Sequence, residues 1–215
     1  MTLPELITII DRIITDDSFT DTDIKNYLNE AQLVVAGGVQ STLGSWLTPP
    51  LPELFTIDTI TTELSLSNTA MPDDFHRQLQ FVASSVGNEI NIAESFLSFV
   101  ETYPLLNQAG TVNECCEFGN NFYYQGIPTS AETLTIHYYR KPNDMTNGDD
   151  EPDGIPIHLQ RNLLVNHVCW KIFELIEDGI EGPGVNTERH MKLFYDAVRT
   201  LELFIPYENK TFMLS

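Results

Sequence analysis

The densest group of potential ligand residues is an acidic segment, residues 143–154, which contains five carboxylates. Hard cations such as Ca²⁺ bind several carboxylate oxygens at once. The spacing does not fit a calcium loop, because no alternating ligands lead to a central glycine and a distal glutamate. Charge runs between structured segments are usually solvated. We therefore predict a hinge-like, solvated linker here, with no metal and no cofactor.

Histidine and cysteine side chains are the next candidates for metal binding or nucleophilic chemistry. His167 and Cys169 stand two residues apart on a predicted helix, so they point to different faces and do not readily bind one ion. Cys115 and Cys116 are neighbours in a predicted strand, where successive side chains face opposite sides. Free cysteines are more often small buried hydrophobes than reactive thiols. We expect three core cysteines, no disulfide scaffold, and a reducing compartment.

Other catalytic patterns are missing from the sequence. No serine or cysteine lies on a glycine-flanked elbow, and no glycine-rich loop with a lysine could bind phosphate. Carboxylates are plentiful, but the surrounding sequence does not distinguish any one pair, so no residues can be assigned to glycoside hydrolysis. We expect that the chain is not an enzyme. A hydrolase that uses the carboxylates of residues 143–154 remains an alternative.

Aromatic residues cluster on the predicted strands. These residues are Phe122, Tyr123, Tyr124, Tyr138 and Tyr139. Side chains of this kind form a sheet core or, when exposed, a surface for sugars or peptides. The core interpretation is favoured, because alternate positions of a strand must face inward. A glycan- or receptor-binding module of a virion, acting through this β region, remains the alternative function.

The charge balance excludes several classes of partner. The 215 residues carry 11 Lys and Arg against 31 Asp and Glu, a formal net charge of −20. Affinity for nucleic acid or anionic membranes requires clustered basic residues, and here eight of the eleven follow residue 139. The N-terminal stretch has no basic leader and contains acids within its apolar run, so we predict neither a signal peptide nor a membrane span.

The pattern of apolar residues predicts helices at both ends and strands in the middle. Thr2 with Glu5, and Thr20 with Asp23, are typical of helix starts. From about residue 55 the period changes to that of strands, and a long helix over residues 158–177 is apolar on almost all sides. The predicted fold is α+β, a bundle of N- and C-terminal helices with an inserted β-sandwich-like lobe. The predicted parts are residues 1–54, 55–141, 142–205 and an extended tail, 206–215.

The helical segments must bury their apolar stripes against each other. Residues 1–45 and 156–204 are therefore predicted to form one cooperative bundle around Trp170, and Trp170→Ala is expected to cost about 3–5 kcal/mol. The predicted bundle core consists of Ile10, Ile14, Leu28, Leu164, Trp170, Ile172, Phe194 and Val198.

Five segments in order resemble one protein family. They are DIKNYLNEAQ (23–32), MPDDF (71–75), YYRKPNDM (138–145), DGIPIHLQRNLLVNHVCWKIFELIEDG (153–179) and HMKLFYDAVRTLE (190–202). Their order and spacing resemble the head-to-tail adaptor, or neck, proteins of tailed bacteriophages, especially those of short-tailed phages. The resemblance extends from Leu3 to about Leu203.

The resemblance implies a structural role in the virion and no catalytic residue. Such adaptors assemble beneath the portal protein as a ring, commonly of twelve copies. The ring extends the channel for double-stranded DNA, carries the tail or nozzle protein and helps retain the packaged genome. The implied location is the head–tail junction, after assembly in the host cytoplasm. An acidic lining would repel the duplex and let it slide without specific binding.

The C-terminal tail is the predicted docking element. Pro206 ends the last helix, since its ring cannot continue the hydrogen-bond ladder. The nine residues beyond it are too few to build a core, yet they include four large apolar or aromatic side chains: Tyr207, Phe212, Met213 and Leu214. Exposed apolar termini usually mark a contact. Adaptor tails typically reach onto the portal, so these residues are expected to dock there.

Overall fold

The chain divides into two compact units. The computed structural model describes residues 1–40, 47–178 and 184–205, with only the backbone of Arg77. One unit comprises the described residues of Met1–Leu54 and Lys141–Ser215, and the other is Phe55–Arg140. The first unit is helical and the second contains two β-sheets. The predicted α+β class is confirmed.

Six α-helices and seven strands make up the described part of the chain. The helices are α1 (Leu3–Asp11), α2 (Asp21–Ala36), α3 (Phe96–Thr102), α4 (Ile157–Gln160), α5 (Asn166–Ile176) and α6 (Val185–Phe204). The strands are β1 (Phe55–Thr61), β2 (Asn68–Ala70), β3 (Phe75–Ala83), β4 (Asn91–Ile92), β5 (Glu114–Phe118), β6 (Asn121–Gln125) and β7 (Thr133–Arg140). A π-helical segment, Arg161–Val165, joins α4 to α5.

Capping boxes start the first two helices, as the sequence predicts. The backbone N–H of Thr2 donates to Glu5 Oε2 at 2.9 Å. In α2, the Thr20 N–H donates to Asp23 Oδ2 at 2.9 Å, and the Thr20 hydroxyl accepts from the Asp23 N–H at 3.3 Å. These bonds satisfy backbone N–H groups that have no partner within the helix.

The helical unit has a single apolar core to which all of its long helices contribute. Seven of the eight predicted core residues are buried there: Ile10, Ile14, Leu28, Leu164, Ile172, Phe194 and Val198. Trp170 is only partly buried and packs against this core from its margin. The core is therefore not organised around Trp170. Phe194, which is 1% exposed, lies inside it.

The β unit is a two-sheet sandwich. One sheet has the order β1-β7-β3 and is antiparallel, and the other has the order β2-β6-β5-β4, with β4 parallel to β5. Both sheets contribute to one core cluster, which includes Ile136 and Tyr138 from the first and Cys115 and Phe122 from the second. This arrangement follows from alternating inward and outward side chains on each strand.

A carboxylate links the two sheets where β3 is irregular. The β3–β7 register shifts between Arg77 and Phe81, and Gln78 has a positive φ of 46°. The Leu79 N–H donates to Glu117 Oε2 of β5 at 2.8 Å. Burial raises the pKa of Glu117, although this hydrogen bond favours its charged form. The bulge therefore makes a backbone N–H available for a bond across the sandwich.

Candidate functional site

The acidic segment 143–154 is held in place by two side-chain amides of α2. The Asn29 amide donates to Met145 O at 3.2 Å and accepts from the Met145 N–H at 2.9 Å. Gln32, which is fully buried, donates to Asn143 O at 2.7 Å and accepts from the Asp153 N–H at 2.8 Å. Met145 is itself buried in the helical core. The segment is therefore anchored to α2 rather than hinge-like, whereas Asp144, Asp149 and Glu151 are exposed, as predicted for a solvated segment.

The carboxylates of this segment bind its own backbone. Asp150 Oδ2 accepts hydrogen bonds from the N–H groups of Thr146 and Asn147, both at 2.7 Å, and these bonds lower its pKa. Asp153 Oδ2 accepts from the Asn143 N–H at 3.0 Å. No group of three or more potential metal ligands occurs among the residues that the structure describes.

His167 and Cys169 are both buried in the helical unit. The His167 ring contacts Phe194 edge-on at 5.0 Å and Trp170 at 5.6 Å, and its Nδ1 is buried without a hydrogen-bond partner in the structure as described. Burial lowers the pKa of His167 to about 4 and raises that of Cys169 to about 12. Both groups are therefore neutral at physiological pH and suited to packing rather than proton transfer.

The strand cysteines are equally inert. Cys115 lies in the β core, and Cys116 is 2% exposed. Burial raises the pKa of both thiols, which disfavours the thiolate form that reacts.

Four of the five strand aromatics are unavailable to a ligand, because Tyr139 is only 5% exposed and three others are fully buried. Phe122, Tyr124 and Tyr138 are fully buried in the β core. The Tyr138 hydroxyl donates to Asp74 Oδ1 at 2.6 Å, and the Tyr124 hydroxyl accepts from the Glu63 N–H at 2.8 Å. These contacts remove most of the aromatic surface on which the glycan-binding alternative depends.

A different aromatic group lies on the outer side of sheet β1-β7-β3. The ring centroids of Phe55 and Phe81 lie 5.8 and 5.2 Å from the ring centroid of His137. Ile57, in the same strand as Phe55, is 61% exposed. These residues were not among the binding residues predicted from the sequence. The alternation of Phe55 and Ile57 in β1 was the available signal, since one face of a strand shares every second residue.

An open groove of about 620 Å³ lies at the margin of the β unit, between β3, β4 and α3. The residues that line it include Glu89, Glu94, Glu114 and Phe81. The Glu114 carboxylate accepts a hydrogen bond from the Tyr103 hydroxyl at 2.9 Å. The described lining includes no basic residue, so no side chain there can neutralise the negative charge of a phosphate group.

The start of α6 is anchored by a carboxylate from the end of α5. Glu177 accepts from the backbone N–H groups of Asn186 and Thr187 at 3.1 and 3.0 Å, and from both their side chains. These bonds lower the pKa of Glu177 to about 2. A Cβ at Gly184, the residue that caps α6, would collide with this carboxylate. Glycine there lets Glu177 bind the positive end of the helix.

The end of α6 presents an exposed apolar surface. Leu203 is 80% exposed and Phe204 is 55% exposed, and the Phe204 ring contacts that of His158 edge-on at 4.6 Å. Ile157, at the start of α4, is also exposed. The predicted docking residues Tyr207, Phe212, Met213 and Leu214 follow in sequence, but they lie outside the described residues.

The comparisons with known proteins complete these observations. None of the helices in the described ranges is long and apolar enough to cross a membrane. No curated protein matches the chain. The model of one family, described as SU10 adaptor protein, matches residues 1–208. Since this match covers nearly the whole chain, the protein belongs to the SU10 adaptor protein family, as its resemblance to phage head-to-tail adaptors indicates.

Proposed function

We propose that this protein is the structural subunit of an adaptor ring at the head–tail junction of a tailed phage. The observation that carries the proposal is the family match over residues 1–208. In this function the ring contains twelve copies, binds the portal protein, extends the DNA channel and carries the tail or nozzle protein. It also helps retain the packaged genome.

The charge of the chain supports a conduit that does not bind its cargo. Duplex DNA is held by proteins that replace condensed counterions with Lys and Arg. A subunit with a net charge of −20 cannot do this over most of its surface. The purified protein should therefore show no measurable binding to duplex DNA near physiological salt. Tight, salt-sensitive binding in a gel-shift titration would contradict the conduit role.

The direct test is assembly on the portal. The purified chain, mixed with the portal protein of the same phage, should form rings that are visible by negative-stain electron microscopy. Absence of such rings, with both proteins folded, would overturn the proposed function.

The C-terminal tail is proposed to dock on the portal, gaining order on binding. Deleting residues 211–215 should leave the melting temperature unchanged and abolish assembly on the portal. A full-length variant with Phe212, Met213 and Leu214 replaced by serine keeps the chain length and should fail in the same way. If either variant assembles with full affinity, the attachment surface lies elsewhere.

A further inference from the structure

Helix α6 exposes a stripe of unusual composition for so acidic a chain. Lys192, Asp196, Arg199 and Leu203 follow one another at intervals of four, three and four residues, which places them on one helix face. All four are exposed, and they lie opposite the buried side of α6. Leu203, at 80% exposure, is the apolar end of this stripe.

Within the described residues, the two basic side chains of the α6 stripe form a single ion pair, which is weak. Arg199 lies 3.3 Å from Asp196 one turn earlier, an exposed pair of the kind that contributes little stability. Lys192 forms no ion pair with any residue in the described ranges. Both cations can therefore bind an external carboxylate at little cost in free energy.

Helix α2 carries a stripe with the opposite charge pattern, exposed except at Asp23, which is partly buried and also forms the capping hydrogen bonds with Thr20. Asp23, Asn26, Glu30 and Leu33 are spaced by three, four and three residues and again share a face. Leu33 is 39% exposed and its neighbour Val34 is 36% exposed, so this stripe also has an apolar end. Within the described ranges Glu30 forms no ion pair.

The two stripes match when the helices are aligned in parallel with Leu203 beside Leu33. At a rise of 1.5 Å per residue, Arg199 lies about 6 Å and Glu30 about 4.5 Å from the leucine of its own helix. The next positions match more closely, since Asp196 and Asn26 both lie about 10 Å away.

The last pair in this register also brings opposite charges together. Along the helix axis, Lys192 lies about 16 Å from Leu203, and Asp23 lies about 15 Å from Leu33. The alignment therefore places a cation opposite a carboxylate twice, a carboxylate opposite an amide once, and leucine opposite leucine.

From this match we infer that the α6 stripe of one copy docks on the α2 stripe of a second copy of this chain, and that this contact joins neighbours in the ring. The inference rests on the proposed ring function. Because the two surfaces differ, the contact is head-to-tail, and repeating it generates a ring when the rotation closes. Opposite charges across the contact set its register and exclude other pairings.

Charge reversal tests the contact. Arg199→Glu and Glu30→Arg each place like charges opposite one another and should raise the concentration needed for half-maximal ring formation on the portal by about tenfold or more. The double variant Arg199→Glu/Glu30→Arg restores opposite charges in every contact and should recover assembly. Lys171→Glu, a charge reversal on α5 outside both stripes, is the matched control and should assemble normally.

Ring formation is scored by electron microscopy and native mass spectrometry, after circular dichroism has shown that each variant is folded. If the single variants assemble like the wild type, or the double variant fails to recover, the inferred contact is wrong while the adaptor ring stands. If the wild-type chain forms no ring on the portal, the proposed function fails and this contact with it.

Discussion

Replacing Phe194 by alanine should destabilise the helical unit far more than replacing Trp170. Phe194 is 1% exposed and its ring contacts those of His167 and Tyr195 at 5.0 and 5.4 Å. Truncation removes its transfer free energy and leaves a cavity among side chains that cannot close it, which costs about 3–5 kcal/mol for a buried phenylalanine.

Trp170 is larger but only partly buried. Its ring lies 6.0 Å from that of Phe194, and Lys171 Nζ covers it at 4.5 Å, so its outer face is shared with solvent and a lysine side chain. Since burial free energy follows the apolar area removed from water, Trp170→Ala should cost about 1–2 kcal/mol. This is below the value expected from sequence, because Trp170 of α5 lies at the margin of the core, whereas Phe194 of α6 lies inside it.

Urea denaturation followed by circular dichroism at 222 nm measures both changes, because all α-helices of the described chain except α3 belong to the helical unit. Leu203→Ala, on the exposed side of α6, is the matched control and should change the free energy of unfolding by no more than about 0.5 kcal/mol. If Trp170→Ala costs as much as Phe194→Ala, the packing described here is wrong.

Three further predictions concern polar groups. Lowering the pH from 6.5 towards 4 should reduce the free energy of unfolding by up to about 3 kcal/mol. In this range His167 is protonated in the unfolded state, where its pKa is about 6.5, but stays neutral in the folded state, where burial lowers its pKa to about 4. His167→Phe should remove most of this dependence of stability on pH, and the smaller remainder is due to His190, whose pKa is also lowered. An unchanged pH dependence would contradict this prediction. Glu177→Gln should lower stability at pH 7 and remove the loss that the wild type suffers between pH 4.5 and 2, since the folded carboxylate has the lower pKa; titration of the melting temperature checks this. Gln32→Ala should cost about 2 kcal/mol and speed protease cleavage within residues 143–154, whereas exposed Asn26→Ala should do neither.

Local signals in the sequence were sufficient for the element types. Thr2 and Thr20 mark helix starts because a capping box needs only residues three apart. The change to a strand period from about residue 55 agrees with β1, which begins at Phe55. Such signals depend only on residues close together in sequence, so they can be recognised without knowledge of the tertiary structure.

Long-range contacts explain where the sequence analysis failed. Nothing within residues 143–154 shows that Asn29 and Gln32, more than a hundred residues earlier, supply their hydrogen bonds. The start of α6 is a second case, because Asn186 and Thr187 bind the carboxylate of Glu177, which lies at the end of α5. The π-helical segment Arg161–Val165 also interrupts the predicted helix 158–177, and a 3.6-residue period does not indicate it.

The distribution of charge indicates where copies of this chain can approach one another. A net charge of −20 per copy opposes association between most pairs of surfaces. Residues 185–204 of α6 are an exception, because three acids balance three basic residues there, and the stripe ends in exposed Leu203. A surface without net charge gains apolar burial at little electrostatic cost. In the proposed ring, self-repulsion elsewhere would keep copies apart until the portal protein concentrates them.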